Sequence, residues 1–229
     1  MNLPFTIGCN LYIYDGLSSY KVMDDILYVD KVHDRYCVIP CDRKIYSLCT
    51  VDEMINGIME WLFIDYSTMT HDLYNCIKNR CDDWHRFSNC KTSYKTQNMG
   101  CFNKISNQQI LLNDKVFLTT EGIFEFSIIQ DKYMMLLSQM EKITIYDMKA
   151  EIVKQFKMSG EMRGHYVLSN EYVIVYTSGD EDYLLKFTDD EISIRCIYDG
   201  SNSTISNAYL LDREIIIFRS RVTPQKIEL

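Results

Sequence analysis

The sequence has no basic lead followed by an apolar run at its start, and no stretch of 18 apolar residues anywhere. The first absence argues against a secretory signal and the second against a membrane-spanning helix. A soluble chain in the cytoplasm or nucleus is therefore expected, with its nine cysteines kept as thiols in a reducing compartment. A surplus of positive charge is also missing: 24 Lys and Arg face 32 Asp and Glu, for a net charge of −8. Neutralising phosphates needs the opposite balance, so general binding to nucleic acid or to an anionic membrane is disfavoured. Catalytic signatures are lacking as well. There is no G-x-S-x-G elbow, no Gly-rich phosphate loop, no H-E-x-x-H and no kinase set. Glycine and proline are scarce, at nine and three copies, while tyrosine reaches 17. With the abundant Ile, Asn and Lys, this is the codon bias of an AT-rich genome, such as that of a large DNA virus or a parasite.

What the chain does contain is a recurring strand-sized unit. Asp131-Lys132-Tyr133 opens the run YMMLLS, Asn170-Glu171-Tyr172 opens YVIVYT, and Asn207-Ala208-Tyr209 opens YLLD. Asp34-Arg35-Tyr36 carries the same opening near the N-terminus. Each copy places a small polar residue and a spacer before a tyrosine and an apolar run, the pattern of a turn feeding a strand. After the tyrosine-led runs come further alternating segments, KITIYD and EIVKQF in one unit, DYLLKF and EISIRCI in the next. Three or four short strands per 37 to 39 residues is the period of a propeller blade. One small twisted sheet cannot bury both of its faces, whereas several packed together bury each other. The alternative is a β-sandwich with evenly spaced strands and a helical insert.

On these residues the segment 129–219 resembles a degenerate WD-repeat blade. DKYMMLLSQMEKITIYDMKAEIVKQF follows that family's order of strand, turn, strand ending in aromatic-Asp, turn, strand, and Tyr146-Asp147 stands where the family often carries Trp-Asp. Gly164-His165 precedes the next unit where the family's Gly-His is expected. The resemblance implies a mainly β fold, a small or irregular β-propeller-like repeat of four to five blades. That count has the N-terminal strand NLYIYD sharing a sheet with the C-terminal segments 209–211 and 214–220.

Between the strands lies a stretch with helical spacing. Asp52 is a fair N-cap for a pattern through Met54, Ile55, Ile58, Met59, Leu62 and Phe63, and a second pattern runs from Met69 to Cys81. Residues 97–106 read as loop. The expected organisation is a propeller-like domain made of 1–50 and 108–229, with a helical insert at 51–107.

The insert holds the densest set of metal-ligand types, Cys76, Cys81, His85 and Cys90, with His71 upstream. Zinc takes four such ligands tetrahedrally, but on one helix Cys76 and Cys81 lie about 140° apart, which makes joint ligation awkward. Thiols in or near a core are the competing reading. No other cofactor is implied. His33, Cys37 and Cys41 recur every four residues on one face of an expected strand, consistent with core packing.

The insert is also locally basic, with Lys78, Arg80, Arg86, Lys91, Lys95 and Lys104 interleaved with Trp84, Phe87, Tyr94 and Phe102. By contrast Asp180, Glu181, Asp182, Asp189, Asp190 and Glu191 form an acidic, solvated face. Two functions from different classes follow. One is a non-catalytic module that binds another protein, with Trp84, Arg86 and Phe87 as contacts because Trp and Arg dominate interfaces. Single-stranded nucleic acid is a conceivable partner at the insert alone. The other is a metal-binding or cysteine-dependent protein centred on Cys76, Cys81, His85 and Cys90.

Overall fold

A computed structural model describes residues 1–81, 93–138, 141–178, 181–198, 205–219 and 224–229. Among these residues the apolar runs form six small antiparallel sheets. Leu3–Ile7 (β1), Asn10–Tyr14 (β2) and Ser19–Asp24 (β3) make the first. Ile26–Val32 (β4), Arg35–Pro40 (β5), Ile45–Cys49 (β6) and, after the helix Val51–Asn56 (α1), Leu62–Phe63 (β7) make the second. The helix His71–Cys81 (α2) follows. Ser93–Lys95 (β8), Cys101–Lys104 (β9), Gln109–Leu112 (β10) and Lys115–Thr119 (β11) form the third sheet. The fourth is Ile123–Ile129 (β12), Tyr133–Ser138 (β13), Lys142–Asp147 (β14) and Ile152–Lys157 (β15). The fifth is Met162–Val167 (β16), Tyr172–Thr177 (β17), Glu181–Phe187 (β18) and Ile192–Tyr198 (β19). Ile205–Leu211 (β20), Glu214–Arg219 (β21) and Gln225–Glu228 (β22) form the sixth. The chain divides into two compact units, Met1–Cys81 with Ile205–Leu229, and Asp82–Thr204.

Every sheet is a meander in sequence order, and burial follows position within it. The six residues of β13 are all buried, as are the central residues of β5, β17 and β21, whereas the outer strands β15 and β22 are largely exposed. A strand covered on both faces is apolar throughout, and that is why YMMLLS and YVIVYT show no alternation. Tyr36, Tyr133 and Tyr172 each stand at or next to the start of a second strand, so three of the four tyrosine-led openings are structurally equivalent.

The fourth is not. Asn207-Ala208-Tyr209 lies inside β20, a first strand, rather than in a turn before a strand. The amide of Asn207 is buried: its Oδ1 accepts from the Thr6 N–H on β1 at 3.1 Å and its Nδ2 donates to the Val29 carbonyl on β4 at 2.6 Å. The termini likewise do not share a sheet. β2 pairs with β1 and β3, β21 with β20 and β22, and the two sheets meet through side chains, Phe5 stacking on Phe218 at 4.2 Å. Two sheets stand at the termini where one shared sheet is expected, which raises the expected four or five by one, and six are observed among the described residues. Further differences lie at 51–107. The first helix ends at Asn56 because Gly57 takes a left-handed φ of 68°, and Leu62–Phe63 pair with β6 instead of continuing the helix. The loop expected at 97–106 contains β9, which carries Phe102, fully buried, and Lys104, also buried.

Candidate functional site

The first unit exposes a concentrated run of apolar side chains immediately after α1. Thr50 caps that helix: its Oγ1 accepts from Glu53 N–H at 3.2 Å, and the Glu53 carboxylate accepts from Thr50 N–H at 2.7 Å. Arg35 clamps the same carboxylate at 2.7 Å. The Thr50 amide above all, then Arg35, holds the Glu53 carboxyl below the usual glutamate range. Met54 points into the core and anchors the helix, and Met59 lies 3.4 Å from the Cys49 thiol. Burial pushes that thiol up to about 11. Between and beyond these anchors Ile55, Ile58, Trp61, Leu62 and Phe63 face outward, with Ile58 68% and Phe63 82% exposed. β7 is the outermost strand of its sheet, paired on one side only, to β6. Asp52, Glu60 and Asp65 are exposed around this run. Five large apolar side chains within nine residues, on a sheet edge with an acidic rim, have the make-up of a protein-binding surface.

The second unit holds a polar chain of a different kind. His165 on β16 places Nε2 against the Ser127 hydroxyl on β12 and Nδ1 at 2.8 Å from the Glu125 carboxylate, two residues earlier on the same face. The order hydroxyl, imidazole, carboxylate is that of an activated nucleophile. Its setting is wrong for acyl transfer. Ser127 is only 4% exposed and sits mid-strand opposite Met135, whereas a nucleophile must be presented to substrate beside N–H donors for an oxyanion. What the arrangement does is tie β12 to β16, since the carboxylate fixes the imidazole with Nδ1 as donor and Nε2 as acceptor for Ser127. Beside it Gly164 makes room for the paired strand: a Cβ there would lie 2.6 Å from the Tyr176 hydroxyl on β17. Lys104 makes a second tie, donating its Nζ to the Phe124 carbonyl of β12 at 2.7 Å.

An open recess of about 880 Å³ in the first unit is lined by Met1, Lys31, Leu210, Leu211, Asp212, Arg213 and Glu214. Its charges are of both signs, so it selects neither anion nor cation.

No family model matches the chain, and no curated protein matches its sequence. Solved structures do resemble it. A chain of the mitotic checkpoint complex superposes with a TM-score of 0.59 at 6% identity over 96% of this chain and 84% of that one. YCF48 bound to D1 peptide gives 0.55 at 8% identity over 95% and 85%. The WD40 β-propeller domain of Doa1 gives 0.45 at 11% identity over 98% and 74%.

The fold is mainly β and propeller-like, six small antiparallel sheets among the described residues. Tyr146-Asp147 ends the third strand of its blade, as the resemblance implies, and Gly164-His165 lies in the first strand of the next.

Of the residues expected to bind metal, Cys76 lies on α2, half-buried against the cluster of Leu73 and Ile77, and Cys81 closes the same helix. His85 and Cys90 lie outside the described residues, as do Trp84, Arg86 and Phe87. His71 Nε2 contacts the carboxylate of its neighbour Asp72 at 2.8 Å, and His33 reaches that carboxylate at 3.0 Å. His33 and Cys41 therefore do not share the core face of Cys37: both sit in turns at either end of β5, and Cys37 alone is buried. The basic aromatic stretch loses Phe102 and Lys104 to the interior. Asp182 also leaves the expected acidic face; it is buried and accepts from the Thr177 N–H at 3.2 Å. The apolar spacing of 55–63 fits a helix. Gly57 is the signal that the run is not one.

Proposed function

We propose that the protein is a non-catalytic module that binds another protein, using loops and edges of its blades. The observation that carries this reading is the exposed run Ile55, Ile58, Trp61, Leu62 and Phe63 on a one-sided strand edge. Leaving that much apolar surface in water is unfavourable unless a partner covers it. The two better-fitting solved neighbours come from a multiprotein complex and from a peptide-bound state, which supports a protein partner. The exposed acids Asp52, Glu60 and Asp65 favour a partner segment with apolar residues flanked by Lys or Arg.

The basic aromatic residues Trp84, Arg86 and Phe87 are proposed as a second part of the contact, on the chemistry of their side chains. The test is quantitative affinity purification with the whole chain. Replacing Trp84, Arg86 and Phe87 together by alanine should weaken capture of the partner without lowering the unfolding midpoint. Unchanged capture would remove these three residues from the proposal, and capture that disappears into high salt would transfer it to a polyanion.

A further inference from the structure

We propose that Cys9 and Cys41 form a vicinal dithiol, a modification site that low-molecular-weight disulfides oxidise to an intramolecular bridge. Cys9 lies in the two-residue turn between β1 and β2, where Ile7 pairs with Asn10 and Gly8 takes a left-handed φ of 59°. Cys41 follows Pro40 in the turn after β5, closed by Arg43 N–H donating to the Pro40 carbonyl at 3.1 Å. The two turns belong to different sheets, yet the backbone pins them side by side. Ile26 N–H donates to the Cys9 carbonyl at 3.2 Å, and Cys41 N–H donates to the Asp25 carbonyl at 2.9 Å. Asp25 and Ile26 are consecutive, with Cα atoms ~3.8 Å apart, so both cysteines are held to one point of the chain. The two side chains come close enough for the Cys9 thiol to act on that of Cys41. Cys9 is exposed and Cys41 half-buried, so a small reagent reaches the first and the second stands behind it.

The roles of the two sulfurs follow from their surroundings. Burial above all, then the neighbouring Cys9 thiol, pushes the Cys41 thiol up to about 11, so it keeps its proton. Cys9 is the attacking group. Its thiolate attacks one sulfur of a small disulfide, forming a mixed disulfide and expelling one thiolate. Cys41 then gives up its proton to solvent and attacks the Cys9 sulfur, expelling the second thiolate. The protein dithiol loses two electrons and two protons, and the small disulfide is reduced to two thiols. Within the first unit, the bridge joins the turn of one sheet to the turn of its neighbour.

The experiment treats the whole folded protein with oxidised glutathione, blocks remaining thiols with an alkylating agent and maps the peptides by mass spectrometry. The expected result is a Cys9–Cys41 linked peptide and the loss of two alkylatable thiols. Cys196, which is exposed but is not paired with Cys41, serves as the comparison and should react at least tenfold more slowly to any bridged product. Cys41→Ser should convert the product to a stable glutathione adduct on Cys9, and Cys9→Ser should abolish it. A stable adduct on Cys9 in the unmodified sequence, or loss of Cys9 and Cys196 at the same rate without a bridge, would overturn the proposal. Because each serine variant removes only one side chain at a turn, its unfolding midpoint shows directly whether a negative result comes from misfolding.

Discussion

A single buried amide, that of Asn207, joins the first strands of three sheets, and its environment decides what a substitution does. Asn207→Ala leaves the Thr6 N–H and the Val29 carbonyl unpaired in the interior. It should cost about 1–3 kcal/mol, read as a lower urea midpoint, because an unsatisfied buried polar group loses its full desolvation free energy. Had Asn207 been the turn residue its motif suggested, the change would stay within about 0.5 kcal/mol. His165→Ala should destabilise through the same physics, by removing the partner of the buried Ser127 hydroxyl. Other polar contacts depend on ionisation. The Glu181 carboxyl is held below its ordinary value by the Ser159 hydroxyl and then by Tyr183, and that of Asp65 by Ser67. With Glu53 these groups bind fewer protons folded than unfolded. Their contribution is present above the unfolded values of about 4 and is lost as pH falls through the lower folded values. Denaturant midpoints should accordingly hold between pH 7 and 5 and decline from pH 4 to 3; a midpoint that rises on acidification would contradict this reading. The partners of Asn207 and His165 are not legible in the sequence, since Asn207 meets Thr6 across 201 residues and His165 meets Ser127 across 38.

At the scale of elements, strands are legible through two signals, continuous apolar runs where they are buried and alternation where they are exposed, as in β15 and β19. β13, β14, β17 and β18 were read with nearly their observed bounds because strands covered on both faces must be apolar, and little else in a soluble chain is. β16 is not legible because Arg163, Gly164 and His165 interrupt its pattern, and one of the three, His165, makes the tie to β12. The first helix was overextended because the spacing of Ile58, Leu62 and Phe63 fits a helical face, whereas Gly57 stops the helix and turns those side chains outward. The helix end also gives a prediction. Thr50→Ala removes one half of the capping box and should cost about 0.5–2 kcal/mol. If α1 sets the course of the chain through Trp61, Thr50→Ala should also weaken partner capture, whereas Thr68→Ala, in an exposed turn, should leave it unchanged.

For the molecule as a whole, the repeat was visible as a rhythm of tyrosine-led runs, and it returned as six sheets among the described residues. The arithmetic of blades is not visible in strand spacing, because the terminal strands form two sheets that meet through side chains such as Phe5 and Phe218, and spacing alone does not separate that from one shared sheet. The surface that carries the proposed function was hidden for a related reason: an exposed apolar residue and a core residue look alike until burial is known. Ile58 and Phe63 can therefore be tested against Val116, an exposed apolar residue on β11 in the other unit. The decisive measurement is paired affinity purification of the original chain, Ile58→Asp/Phe63→Asp and Val116→Asp at equal abundance, with partner recovery quantified by mass spectrometry. A residue that dominates an interface carries about 2 kcal/mol or more, which is roughly a 30-fold change in affinity. The account predicts loss of the partner of that order for Ile58→Asp/Phe63→Asp and full recovery for Val116→Asp. Equal recovery from all three would contradict it.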